Sequence, residues 1–351
     1  MSDYRDEITS KLEDAFQQKK ALQIKAGSTK QFYGRDIYAE ELALTDHTGI
    51  IEYEPSELYI TARSGTPLRE IEEAIAEQHQ ILPCEPPYFG ANATLGGTVA
   101  CGLAGPRRVN AGSVRDCILG TDILNGKGEL LRFGGRVMKN VAGYDVSRLM
   151  CGALGTLGVL MSVSLRLLPK PACEQTIVLT LDSNAAINKM NLWTNTPMPI
   201  SATFYDGHDL YIRLSSSLSA IEACKKEIGG ESIDEKDIFW TNIKEQTHNF
   251  FISDKPLWRI SVPPNTETLN ISGENAIEWN GALRWHKSDA DENSIRTEAE
   301  RVGGHATLFK GNTTDQVFHP LSKPSMKLHK KLKQVLDPVG ILNPGKMFAE
   351  L

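Results

Sequence analysis

Three groups of residues have the types and spacing that chemistry uses. The first is the stretch from Gly90 to Gly158, which holds 15 of the 29 glycines in a chain of 351 residues. It carries eight basic residues (Arg107, Arg108, Arg115, Lys127, Arg132, Arg136, Lys139, Arg148) against four acidic ones (Asp116, Asp122, Glu129, Asp145), inside a protein of net charge −6. Glycine permits positive φ and lets another molecule come close to the backbone N–H groups. Dense glycine with a positive balance therefore points to a long, wrapped site for an anion, with tight turns as the competing explanation. The second group is Lys25-Ala26-Gly27-Ser28-Thr29-Lys30, a small hydroxyl-bearing loop after a short apolar run. It has the makings of a phosphate cradle, although it matches neither G-x-x-x-x-G-K-[ST] nor G-x-G-x-x-G, and an ordinary turn explains it as well.

The third group is Arg259, Arg284, His286 and His305, set in three apolar strands of the second half. A cation for a carboxylate and a base for a hydroxyl proton would be drawn from these. Each has a plainer role. The two arginines, each beside a tryptophan, suit stacking or a subunit contact, and His305 suits a packed, hydrogen-bonded strand position. His286, next to Lys287 and Asp289, is expected on the surface.

The elements around these groups follow from periodicity. Ile8, Leu12, Ala15 and Phe16 make residues 3–20 an amphipathic helix. Leu58–Ala62 reads as a strand, and Thr66-Pro67 as the cap and first turn of a helix burying Leu68, Ile71 and Ile75. A hairpin turns at Asn125-Gly126-Lys127-Gly128. Val159, Met161, Val163, Leu165 and Leu167 alternate with polar residues, which predicts a half-buried strand. Pro169-Lys170-Pro171 marks a boundary. Beyond it, strand, helix, hairpin and helix up to Gly229-Gly230 form an α+β layer. The tail has a basic amphipathic helix, Met326–Leu336, then Asp337-Pro338 and Asn343-Pro344-Gly345-Lys346.

Composition bounds the rest. The length predicts two domains, and a pI near 5.8 argues against general nucleic-acid binding. The acidic N-terminus has no apolar run after it, no stretch is long enough to span a bilayer, and the six cysteines include no C-x-x-C pair. A cytoplasmic location and no bound metal are the expectations.

In this order and spacing, the pieces resemble the FAD-binding domain of the PCMH-type, vanillyl-alcohol-oxidase-like flavoproteins. Lys25–Lys30 resembles the first pyrophosphate loop of that family. Ala93–Gly97 with Gly112–Asp116 resembles its second flavin-contacting run, and Lys139–Asp145 with Gly152–Gly158 its third. Asp337-Pro338 and Leu342–Lys346 resemble its C-terminal return. The resemblance implies an α+β fold: a two-part FAD-binding domain over 1–170, a smaller cap of antiparallel sheet and helices over 171–319, and a returning segment over 320–351. It implies FAD contacts at Ala26, Gly27, Ser28, Thr29, Lys30, Gly90, Thr94, Leu95, Gly96, Gly97, Gly112, Ser113, Asp116, Gly155, Thr156, Gly158, Val159 and Asn343. With no His or Cys in the first loop, the FAD is expected to be held non-covalently.

Within the family, Leu257–Pro263, Ala282–Trp285 and Gly304–Leu308 resemble the smaller flavin subunits of bacterial glycolate dehydrogenases. That implies oxidation of a small 2-hydroxy acid, glycolate, to glyoxylate. It also implies a larger FAD subunit and an iron–sulfur subunit as partners, in the cytoplasm or on the inner face of the membrane through those partners. The family's H-x-G-D-G-N-x-H run is missing; His305-Ala306-Thr307-Leu308 stands roughly in its place, and Leu154 replaces the acidic residue of G-S-E-G-T-L-G. Three readings therefore stand: an electron-carrying flavin subunit, an assembly subunit with structural FAD, and a stand-alone flavin oxidase. Arg259, Arg284 and His305 are the weak catalytic candidates.

Overall fold

The structure is a computed structural model and describes residues 4–135, 145–233, 236–311 and 316–351. The run from Lys139 to Tyr144 lies outside the described residues.

The N-terminal helix Arg5–Gln18 buries Ile8, Leu12 and Ala15 and stops where Lys19 turns left-handed. Those side chains pack with Leu22, Leu42, Leu124, Met161 and Leu342. Beneath them lies a small parallel pair, Leu22–Lys25 with Glu40–Ala43, and Leu22 also bridges in parallel to Leu342. The strand that leads into the first loop is thus held between two later segments.

Next to it is a five-stranded antiparallel sheet in the order Ile50–Glu54, Tyr59–Arg63, Val159–Arg166, Ile118–Leu124, Leu130–Gly134. The hairpin about Asn125 forms as the sequence predicts. The Asn125 side-chain oxygen accepts from the amides of Lys127 and Glu129, which fixes the turn. Val159–Arg166 departs from expectation, because it is central and covered on both faces. Pairing slips between Asp122/Ser162 and Ile123/Leu160, so Met161 is an extra, bulged residue. The bulge reverses the alternation. Val159 and Met161 pack toward the N-terminal helix, whereas Leu160, Val163 and Leu165 enter the main core with Ile60, Ile71 and Val99. Thr66 does not cap the helix Leu68–Ala76; its hydroxyl accepts from the Gly49 amide, and no side chain among the described residues caps that helix.

From Cys173 the chain builds an eight-stranded antiparallel sheet. Its order is Glu231–Ile233, Cys173–Thr180, Asp209–Ser216, Ile200–Tyr205, Glu274–Glu278, Leu283–Lys287, Leu257–Ser261, His305–Lys310. Helices Ser183–Thr194 and Leu218–Ile228 cover one face through Ile187, Met190, Ile221 and Cys224, and Glu292–Arg301 extends that cover through Ile295 and Ala299. The opposite face meets the first half of the chain: Phe204, Trp285 and Phe309 pack with Tyr33, Leu103 and Leu154. Four charges fix this junction. Arg107 pairs with Glu85 at 3.2 Å and Glu174 at 2.7 Å, and Arg213 reaches Glu85 at 2.8 Å.

The last helix begins at Lys323, three residues before the expected start, because Ser322 accepts from the Ser325 amide and Pro324 suits a first turn. After it, the buried Asp337 carboxylate accepts from the amides of Gly340, Ile341 and Leu342 and pairs with Lys333 at 2.8 Å. That bend sends the tail back to Leu22.

Candidate cofactor site

The strand Leu22–Lys25 ends at the floor of a cleft whose wall includes Ala26, Gly27, Ser28, Thr29 and Lys30. Ser28 is left-handed, at φ 56°. The backbone N–H groups of Gly27, Ser28, Thr29 and Lys30 find no acceptor among the described residues. A run of open amides in a turned loop is an anion-binding concavity. Gly27 is there for a steric reason: a Cβ would lie 1.5 Å from the carbonyl oxygen of Asn92. The first loop therefore packs directly on the second run.

That second run contributes Thr94, Gly96 and Gly97 to the cleft. They start the helix Leu95–Cys101, but its first amides are already used. Leu95 donates to Thr66, Gly96 to Ser64, and Gly97 to the Thr94 hydroxyl. The small residues here serve close packing, since a Cβ on Gly96 would fall 2.7 Å from that of Ser64.

The third run supplies Gly155 and Gly158, and the tail supplies Asn343. Asn343 is the cross-link: its amide nitrogen donates to Leu154 O at 2.7 Å, and its side-chain oxygen accepts from Ile24 N at 2.7 Å. Gly155 is left-handed, and its missing Cβ leaves room for that side chain.

Other expected contacts lie outside the lining. Leu95, Thr156 and Val159 are buried in the core, with the Thr156 hydroxyl donating to Ala153 O. Gly90 packs on Thr29 from behind. Ser113 and Asp116 close a capping box on Val114–Cys117, beside left-handed Gly112. The cleft also uses Leu154 and Lys346, which lie within the matched motifs, and Tyr33 and Cys101, which lie outside them.

Three lysines face this space. Lys25 pairs with Glu41. Lys30 donates to Tyr88 O at 3.1 Å and Lys346 to Gln31 O at 3.0 Å, and burial lowers the pKa of both. The cleft ends against Tyr33, which meets Phe309 and Phe318 at 5.5 and 5.2 Å between ring centroids. Trp285 extends the cluster, meeting Phe309 edge to face at 5.0 Å. Aromatic side chains thus fill the boundary between the cleft and the large sheet.

The catalytic candidates separate. Register places Arg259 on the inner face with Trp285 and Thr307, and Arg284 on the opposite face with Ile260. Among the described residues, Arg284 neither stacks on a ring nor forms an ion pair. It donates to the carbonyls of Gly281 and Thr266, and burial lowers its pKa to about 10. His286 is buried rather than exposed, with no partner for Nδ1 among the described residues, and burial lowers its pKa to about 4. His305 stands at the exposed sheet edge, 6.4 Å from His319 between ring centroids. Arg259 lies over Trp279 at 5.1 Å, with Arg108 at 4.3 Å from the same ring. Beside them sits Glu278, which the sequence reading missed. Burial raises its carboxyl pKa to about 7, although the 2.6 Å hydrogen bond from Trp285 Nε1 and the charge of Arg259 oppose the rise. Its signal was a single acidic residue ending the apolar run Ala276-Ile277.

Comparison with known proteins decides the family. The chain is 46% identical over 349 residues to the glycolate oxidase subunit GlcE of Escherichia coli K12, covering 99% of each. The chain belongs to the GlcE family. Residues 5–134 match the FAD binding domain family. The chain is also 24% identical to the glycolate oxidase subunit GlcD of Bacillus subtilis, over 86% of this chain and 77% of that one. Among solved structures, an alkyldihydroxyacetonephosphate synthase shares the fold, with a TM-score of 0.68 at 13% identity, covering 97% of this chain and 76% of that one. The GlcE-family chain binds FAD and is an FAD-dependent oxidoreductase component. Open amides in the first loop, with Lys25, Lys30 and Lys346 around them, fit the charge of a dinucleotide pyrophosphate.

Proposed function

We propose that this chain is the FAD-binding subunit of a multi-subunit glycolate dehydrogenase that passes electrons to partner subunits. The observation that carries the reading is the run of amides at Gly27–Lys30 with no acceptor among the described residues, in a cleft that Asn343 ties together from Ile24 to Leu154, in a chain of the GlcE family. FAD supplies two-electron redox chemistry when bound. The chain's own residues do the placing. Gly27–Lys30 would hold the pyrophosphate, while Thr94, Gly96, Gly97, Gly155 and Gly158 bring backbone close to the dinucleotide. Tyr33 and Leu154 close the end of the cleft toward the sheet and keep water from it. We take the FAD to be non-covalent, the division to be 1–170, 171–319 and 320–351, and the location to be cytoplasmic, on the membrane's inner face through partners. No helix among the described residues is long and apolar enough to cross a membrane.

The partners in this reading are a larger flavin subunit and an iron–sulfur subunit. Arg259 and Glu278 are the groups on the inner face suited to a small 2-hydroxy acid, as carboxylate clamp and proton acceptor. A second reading, an assembly subunit with structural FAD, is favoured by the aromatic side chains that fill the cleft boundary. Anaerobic addition of glycolate, to the chain alone and to the whole complex, separates the two. Bleaching of this chain's flavin absorbance during turnover supports electron carriage. A flavin that stays oxidised while the complex turns over assigns it to assembly.

A further inference from the structure

We infer that the outer face of the helix Lys323–Leu336, with the groove beside it, is the docking surface for a redox partner subunit whose apolar side chains are rimmed by carboxylates. The inference rests on the subunit reading above. Leu328, Leu332 and Val335 project outward with 62%, 36% and 74% of their surface exposed. At i, i+4 and i+7 they form one stripe along the helix. Exposed apolar residues elsewhere on a protein are unremarkable when single; three in line call for a cover.

The charge around the stripe has one sign. The helix has five lysines and no acidic residue, in a chain of net charge −6. Lys333 is buried against Asp337 and Lys330 pairs with Glu350, whereas Lys323, Lys327 and Lys331 are exposed and have no acidic partner among the described residues. A partner rimmed with carboxylates would complement them and be steered to the site.

The groove decides between a protein and a lipid surface. It has a volume of about 220 Å³ and is lined by Leu149, Cys151, Leu157, Leu332 and Met347. That exceeds the roughly 150 Å³ apolar cavity able to hold a benzene ring. A concavity of this kind takes an inserted side chain. A membrane surface would instead need a broad convex apolar face, and this helix turns its other side to the core.

Position gives the surface its meaning. Ala153 lines both the groove and the cofactor cleft, so a single pass of chain separates them. Lys333 holds the helix to that pass, donating to Thr156 O at 2.8 Å and Leu342 O at 2.6 Å. A partner seated here would contact the back of the cofactor wall, a short route for electrons leaving the flavin.

The test is co-expression with the larger flavin subunit and the iron–sulfur subunit, comparing wild type, Leu328→Glu/Val335→Glu and Lys327→Glu/Lys331→Glu. These four side chains are exposed, so FAD content and melting temperature should stay at wild-type values. The apolar-site variant should weaken association at least tenfold. The charge variant should slow association and remove its salt dependence. Variants that associate as wild type overturn the proposal and leave the subunit reading intact. Wild-type flotation with phosphatidylglycerol vesicles that the variants lose, with subunit association unchanged, overturns it in favour of lipid. A wild-type chain that binds neither subunit defeats the subunit reading and this proposal together.

Discussion

In the proposed cofactor cleft, the seat of the first loop depends on one residue, Gly27. The open amides of the first loop matter only if the loop rests on Asn92, and any Cβ would strike that carbonyl at 1.5 Å. Gly27→Ala is therefore expected to purify with at most a tenth of the wild-type FAD, read from the visible absorbance of the folded protein. Glu278 carries a different consequence. Its pKa is about 7 folded against 4.5 unfolded, so the folded state holds the proton more tightly. Between pH 4.5 and 7 the unfolded chain ionises first, and stability falls as pH rises. Two and a half units correspond to about 3 kcal/mol, fully expressed above pH 7. Glu278→Gln keeps the acceptor for Trp285 and removes the titration. Its melting temperature should gain on wild type from pH 5 to pH 7 and level off by pH 8, and a difference that does not change with pH would refute the assignment.

At the scale of elements, the tail works because Asp337 bends it. Three amides and the Lys333 ammonium converge on a carboxylate that is 1% exposed. Asp337→Ala should cost about 3–5 kcal/mol, as removal of one partner leaves a buried charge and orphaned amides. Lys333→Met should cost less, because the three amides keep their acceptor; urea denaturation of both variants tests the order. The elements legible in the sequence carried a strong local signal: the single apolar face of the N-terminal helix, the Asn125-Gly126 turn of the hairpin, and the apolar and aromatic runs around Arg259 and Trp285. Leu95–Cys101 escaped because two glycines hide a helix whose first turn is held by the carbonyls of Ser64 and Thr66. Glu292–Arg301 escaped because only Ile295 and Ala299 mark its buried face. The bulge at Met161 could not be read at all, since it arises from pairing with Ile123 across the sheet. The first loop, Gly155 and Asn343 were legible as motif pieces, whereas Tyr33, Cys101 and Glu278 reach their places only through the packing of the two sheets.

For the molecule as a whole, the seam between the flavin-binding part and the large sheet depends on a few charges. Burial opposes ionisation of Glu85, but Arg213 and Arg107 outweigh it and hold its pKa below the ordinary value. Arg213 also lies over Trp240 at 5.0 Å. Arg213→Met should lower stability by about 3 kcal/mol. If this seam couples the two parts, the variant should also separate a single unfolding transition into two, which calorimetry would resolve.

Asn343 has a consequence in time as well as in space. Its side chain joins Ile24 to Leu154, residues made early and midway in synthesis, so the cofactor cleft has no closing wall until position 343 has been translated. A nascent chain released short of that point should fold much of its sheet and still emerge colourless. FAD content would then mark chains translated through Asn343, because the proposed site is complete only once that side chain joins Ile24 to Leu154.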